Sequence, residues 1–102
     1  MNEQRLAETV RIFKVLSNES RIRILYFLEN NEADVTTIVD GLGINQPQVS
    51  HQLAMLYRYQ LVSRRRVGRH VFYVLDDPHV LTVVDATLAH VSHEIAHRPV
   101  KM

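Results

Sequence analysis

A chain of 102 residues, 46% of them hydrophobic, has room for one small domain over residues 1–102, with a core thin enough that a dimer interface would add useful burial. The absence of cysteine excludes a disulfide framework, thiolate metal ligands and thiol chemistry. The polar start Met1-Asn2-Glu3-Gln4-Arg5 shows no signal peptide and no apolar run approaches the ~20 residues that span a bilayer, so a cytoplasmic protein without a membrane partner is expected. The net charge of +1 hides a division: no acid lies between Asp40 and Asp76, where Arg58, Arg64, Arg65, Arg66 and Arg69 give +5 against −4 for the remainder. A basic middle is the electrostatic footprint of a phosphate-binding surface.

Along the chain, Leu6, Val10, Phe13 and Leu16 recur at helical spacing and predict an amphipathic helix over 3–16. Ser17-Asn18-Glu19-Ser20 interrupts it with capping residues, and Ile22, Leu25 and Leu28 mark one face of a second helix reaching about Asn30. Asp34 suits the N-cap of a short third helix over 35–41, closed by the turn Gly41-Leu42-Gly43-Ile44-Asn45. Asn45 then caps a fourth helix to about Tyr59, with Pro47 in its first turn and Val49, Leu53 and Leu56 facing inward. Two helices joined by a glycine-bearing turn form a helix-turn-helix pattern. Beyond Gln60 the period changes to two: 61–67 and 70–75 predict a hairpin around Val67-Gly68-Arg69. Asp76-Asp77-Pro78 starts a last helix to about His97. The expected fold is mainly α with a β-hairpin (α+β), a winged helix-turn-helix.

The start of the fourth helix carries Gln46, Gln48, Ser50, His51 and Gln52, expected to be exposed, with no Glu or Lys among them. Such side chains hydrogen-bond base edges or phosphates when a helix enters the major groove. Arg64, Arg66 and Arg69 are expected to contact phosphate or the minor groove of double-stranded operator DNA, and Arg65 to face the other side of its strand.

Val49-Ser50-His51-Gln52-Leu53, the lead-in Leu16…Arg21-Ile22-Arg23-Ile24-Leu25 and the hairpin Gly68-Arg69-His70-Val71-Phe72-Tyr73 resemble the ArsR/SmtB family of metal-sensing repressors along nearly the whole chain. The resemblance implies a homodimer through the first and last helices, and a transcriptional repressor released from its operator by metal. The cysteine pair that many members carry on the third helix is missing from 33–42.

After Asp77 come His79, His90, His93 and His97, four of the six histidines. At about 100° per residue all four form one helical stripe. Histidine and carboxylate bind zinc where thiolates are lacking. His79 and His90 stand ~16.5 Å apart along one helix, whereas two imidazoles on one ion need Cα atoms within about 12 Å. An antiparallel copy of the helix across a two-fold axis resolves this and creates two equivalent sites. The spacing Asp77-x-His79-x10-His90-x2-His93 resembles the zinc- and cobalt-sensing, CzrA-type branch of the family. By that resemblance Asp77 and His79 come from one chain and His90 and His93 from the other, with His97 a spare donor that would suit cobalt or nickel. Two rival readings remain: a winged-helix regulator with no metal-sensing role, and a zinc hydrolase through His93-Glu94-Ile95-Ala96-His97, which satisfies H-E-x-x-H. The hydrolase pattern has three fixed positions in a His-rich helix and no downstream ligand, so no enzyme activity and no small organic substrate are expected.

Overall fold

The computed structural model describes residues 1–97, His97 by its backbone alone. In chain order the elements are α1 (Glu3–Leu16), α2 (Glu19–Phe27), α3 (Val35–Leu42), α4 (Gln46–Arg58), β1 (Val62–Val67), β2 (His70–Leu75) and α5 (His79–His97). Side-chain caps set the starts of the first four helices. Asn2 accepts from the backbone N–H groups of Gln4 and Arg5, Asn18 from Arg21, Asp34 from Thr37, and Asn45 from Gln48. Each cap satisfies a donor that the helix itself leaves free.

The element ends differ from expectation where tertiary contacts intervene. α2 stops at Phe27 instead of reaching Asn30, because the chain beyond it is drawn out to pair with the hairpin. Ala33 N–H donates to the Tyr73 carbonyl at 3.1 Å, and Tyr73 N–H returns a bond to Ala33 at 2.8 Å. α3 runs one residue past Gly41 and ends on Gly43, whose φ of 68° is left-handed. Gly41 lies inside that helix against Phe27, where a Cβ would overlap the ring. Leu61 belongs to the exit of α4 and not to the strand. Its N–H reaches back to the Leu56 carbonyl at 2.9 Å across Gln60, which takes a φ of 61°. The hairpin is antiparallel, with register from Val62↔Leu75 to Val67↔His70, and turns on Gly68-Arg69.

Val15 and Leu16 of α1, Ile24 and Leu25 of α2, Ile38 of α3 and Val49, Leu53 and Leu56 of α4 form the core with Val62, Leu81 and Val84. The Tyr26 hydroxyl of α2 donates to Asp85 of α5. Partial burial, then this carboxylate, pushes the Tyr26 pKa up to about 12. Two apolar stripes continue past the core. On α1, Leu6, Val10 and Phe13 remain 47%, 42% and 54% exposed. On α5, Leu88, Val91 and Ile95 are exposed, although Leu81 and Val84 earlier in the same helix are buried. Among the described residues no helix is long and apolar enough to cross a membrane.

Candidate nucleic-acid interface and histidine-bearing helix

Burying Val49, Leu53 and Leu56 turns the opposite side of α4 outward, where Ser50 and His51 are exposed, and Gln46 is exposed at the first position of the helix. Gln48 is also exposed, but its Nε2 donates to the Ser20 Oγ at 3.0 Å. Gln52 departs from expectation: it is only 7% exposed, and its Oε1 accepts from Arg21 Nε at 2.6 Å. The cause is helical periodicity. Gln52 follows Val49 by three residues and precedes Leu56 by four, which places it on the inward face. The spacing was readable, but the polar residue type concealed it. Arg58, counted in the basic middle but not among the expected DNA-contacting residues, is exposed two turns after His51 on the outward side. The seven-residue spacing within the acid-free segment was its signal.

Arg64, Arg66 and Arg69 are exposed on the wing. Strand alternation separates Arg64 and Arg66 from Arg65. The Arg64 guanidinium lies 4.0 Å over the Tyr57 ring, so the end of α4 holds one wing cation in place. Arg65 instead pairs with Glu32 and approaches the Phe72 ring at 5.9 Å. Beside it, His70 Nδ1 lies 3.8 Å from Asp34 Oδ2. The Thr37 hydroxyl, then the Thr37 backbone N–H, holds the Asp34 carboxyl below its ordinary value. With the Ala33–Tyr73 pairing, these contacts brace the wing against the loop before α3.

At the start of α5, Asp77 Oδ1 accepts the backbone N–H of His79 at 2.9 Å and stands 2.8 Å from His79 Nδ1. The backbone bond, more than the imidazole, draws the Asp77 pKa down. His90 Nε2 lies 3.4 Å from Glu94 Oε2, one turn further on, and His93 is exposed nearby. The side chain of His97 lies outside the described residues. Within one protomer Asp77 and His79 meet each other but not His90 or His93. Among the described residues no group of three His, Asp or Glu converges to hold an ion. That agrees with the helix rise, which separates the two halves of the set. An open cleft of about 450 Å³ lies between α1 and α5, lined by Ile12, Phe13, Leu16, Val80 and Val83, with Asp77 and His79 also on its wall.

Residues 18–64 match the family model described as bacterial regulatory protein, arsR family. Over 93 residues the chain is 34% identical to the HTH-type transcriptional regulator NmtR of Mycobacterium tuberculosis, covering 91% of this chain and 78% of that protein. The chain belongs to the ArsR family. It is also 38% identical over 80 residues to the transcriptional repressor SmtB homolog of Synechocystis, spanning 78% of this chain but only 58% of that one. A cadmium resistance transcriptional regulatory protein, the CadC homolog of Staphylococcus aureus, is 29% identical over 89 residues, 86% of this chain and 74% of that one. Among solved ArsR-type folds, a homodimeric winged helix-turn-helix DNA-binding domain from Mycobacterium bovis superposes with a TM-score of 0.79 at 25% identity, covering 98% of this chain and 93% of that one. The antimony-specific transcriptional repressor AntR gives a TM-score of 0.79 at 28% identity, covering 94% and 87%. This ArsR-family chain is therefore a DNA-binding transcriptional regulator and not an enzyme. His93-Glu94-Ile95-Ala96-His97 is part of a regulator's helix and not a hydrolase's zinc motif.

Proposed function

We propose that the chain, residues 1–102 acting as one domain in the cytoplasm, represses transcription as a homodimer on operator DNA and is released by zinc, with cobalt or nickel as alternatives. The observation that carries this is the division of α5. Its apolar face is covered by its own core at Leu81 and Val84 and uncovered at Leu88, Val91 and Ile95. Its histidine stripe borders uncovered apolar surface through exposed Val83, which lies about 40° around the helix from His79 and about 20° from His90 at about 100° per residue. An antiparallel second copy would cover the uncovered half, together with Leu6, Val10 and Phe13 of α1, and would bring the two ends of the stripe side by side. The homodimeric domain from Mycobacterium bovis supports the assembly. The cadmium-resistance and antimony-specific relatives support a metal or metalloid signal.

The donor set suits zinc. Asp77 and His79 already stand together, and His90 and His93 lie one turn apart, so each pair supplies two of four N/O ligands for a tetrahedral ion. Bound between Asp77 and His79 of one protomer and the partner's His90 and His93, the ion supplies a cross-link between the two helices. On DNA, Gln46, Gln48, Ser50 and His51 enter the major groove, and Arg64, Arg66 and Arg69 meet the backbone. The two recognition helices must stand ~34 Å apart to reach successive grooves, so pinning the angle between protomers disfavours the bound geometry.

Titration of an operator-bound sample with zinc, cobalt and nickel tests the proposal. Metal should lower operator affinity, and operator should weaken metal binding by the same factor. Equal zinc affinity with and without operator would sink the release mechanism. No measurable metal binding would leave a regulator without a metal-sensing role.

A further inference from the structure

We infer that Gln52 is a positioning residue that reads no base itself and, through Arg21, locks the recognition helix α4 to the end of α1. Among the described residues it is the one polar side chain in the buried set, on the side of α4 turned away from Ser50 and His51. Its Oε1 accepts from Arg21 Nε at 2.6 Å, while Arg21 Nη1 donates to the Val15 carbonyl at 3.2 Å. Val15 belongs to the last turn of α1, where backbone carbonyls lack helical partners and the helix dipole favours a cation. One guanidinium thus joins the C-terminal end of α1 to the middle of α4. Its own backbone N–H is held by the Asn18 cap at 3.0 Å, which fixes where the side chain starts. One turn earlier on α4, Gln48 adds a second tie, to Ser20 at 3.0 Å.

Apolar packing alone is non-directional, so Val49, Leu53 and Leu56 tolerate small rolls of α4 about its axis. A charge-assisted hydrogen bond does not tolerate them. The Arg21–Gln52 bond therefore sets which residues of α4 point outward, and relays the attitude of α1 to that helix. The relay rests on the proposed dimer through α1; the anchoring of α4 does not.

The test uses the full chain, a duplex selected by the wild-type protein from a randomised library, and a scrambled duplex of equal length, with binding followed by fluorescence anisotropy over a range of salt. Gln52→Leu leaves Arg21 without its acceptor and should lower the selected-to-scrambled affinity ratio about tenfold or more. Scrambled-duplex affinity and the salt slope should stay unchanged, since the same phosphates are neutralised. Arg21→Met should lower the ratio similarly, and the double variant should be no worse than either single one. Gln52→Glu keeps the acceptor for Arg21 but removes the amide donor, so it should hold the ratio within about threefold of wild type. A Gln52→Glu ratio as poor as that of Gln52→Leu would mean that the amide reads DNA, and would overturn the inference. So would a wild-type ratio in Gln52→Leu. If circular dichroism shows Gln52→Leu unfolded, Gln52→Glu alone decides, a retained ratio supporting the inference and a lost one overturning it. Sedimentation equilibrium of the wild type judges the dimer separately, because a monomer would defeat that reading and leave the Gln52→Glu result to judge the anchoring.

Discussion

Gln46 and Arg66 are both exposed and polar, yet their positions give them different work. Gln46 opens a helix whose capped start points outward, where an amide can pair with a base edge. Removing such a pair costs about 1–3 kcal/mol of discrimination. Gln46→Ala or Ser50→Ala should therefore weaken operator binding while sparing binding to scrambled duplex. Arg66→Ala should weaken both and reduce the slope of log K against log salt by about 1 for each phosphate that the guanidinium neutralises. Salt-dependent anisotropy on both duplexes separates the classes, and helix variants that bind operator like wild type would refute the recognition-helix assignment. A second residue-scale prediction concerns Asp34, whose folded pKa lies below its ordinary value of 3.8. A depressed carboxylate pKa stabilises fully above the unfolded value, and that contribution disappears as pH falls through the folded one. Asp34→Asn keeps a capping oxygen but cannot titrate. Its urea-derived stability should fall less steeply with acid than that of wild type over about pH 2–5. Parallel curves would show that Asp34 makes no net contribution. Candidate site residues were legible at this scale by type, since glutamine, serine and arginine declare what they can bond. Gln52 was misplaced because type and periodicity disagreed, and periodicity prevailed.

Helix boundaries follow the same competition between local chemistry and tertiary demand. The caps Asn2, Asn18, Asp34 and Asn45 act within three residues of themselves, so the helix starts could be read directly. The ends of α3 and α4 make a matched pair. Gly43 carries a φ of 68° without cost, whereas Gln60 carries 61° with a side chain. Gly43→Ala should lower stability by about 1–2 kcal/mol, the left-handed penalty for an L-residue. Gln60→Gly should raise it by roughly 0.5–1 kcal/mol, relief of that strain being partly offset by the looser unfolded chain. Denaturant unfolding of the two variants checks both signs. A destabilised Gln60→Gly would mean that the glutamine side chain makes interactions worth more than the strain.

At the scale of the whole molecule, the proposed metal site requires two chains, and variants with complementary defects can count it. One variant carries Asp77→Ala and His79→Ala, the other His90→Ala and His93→Ala. Each homodimer should bind zinc poorly. The mixed dimer collects every substitution in one site and leaves the other complete, so it should bind one tight zinc ion. An intrachain site predicts none, because every chain lacks half its ligands. A local His93–His97 pair would leave the first variant's homodimer binding two. Metal analysis of the purified heterodimer together with both homodimers distinguishes these geometries.

Helices, caps, hairpin and basic wing could be recognised from residues alone, because each depends on neighbours within a turn or a two-residue loop. The separation of Asp77 and His79 from His90 and His93 was equally accessible, being helix rise multiplied by residue count. Only the folded chain decided that α2 ends early, because the strand-like pairing of Ala33 with Tyr73 joins segments forty residues apart. It also decided that Gln52 is buried against Arg21 and that Arg64 stacks on Tyr57. Those contacts depend on how elements cross, and crossing angles follow from the packing of whole helices, which no local pattern encodes.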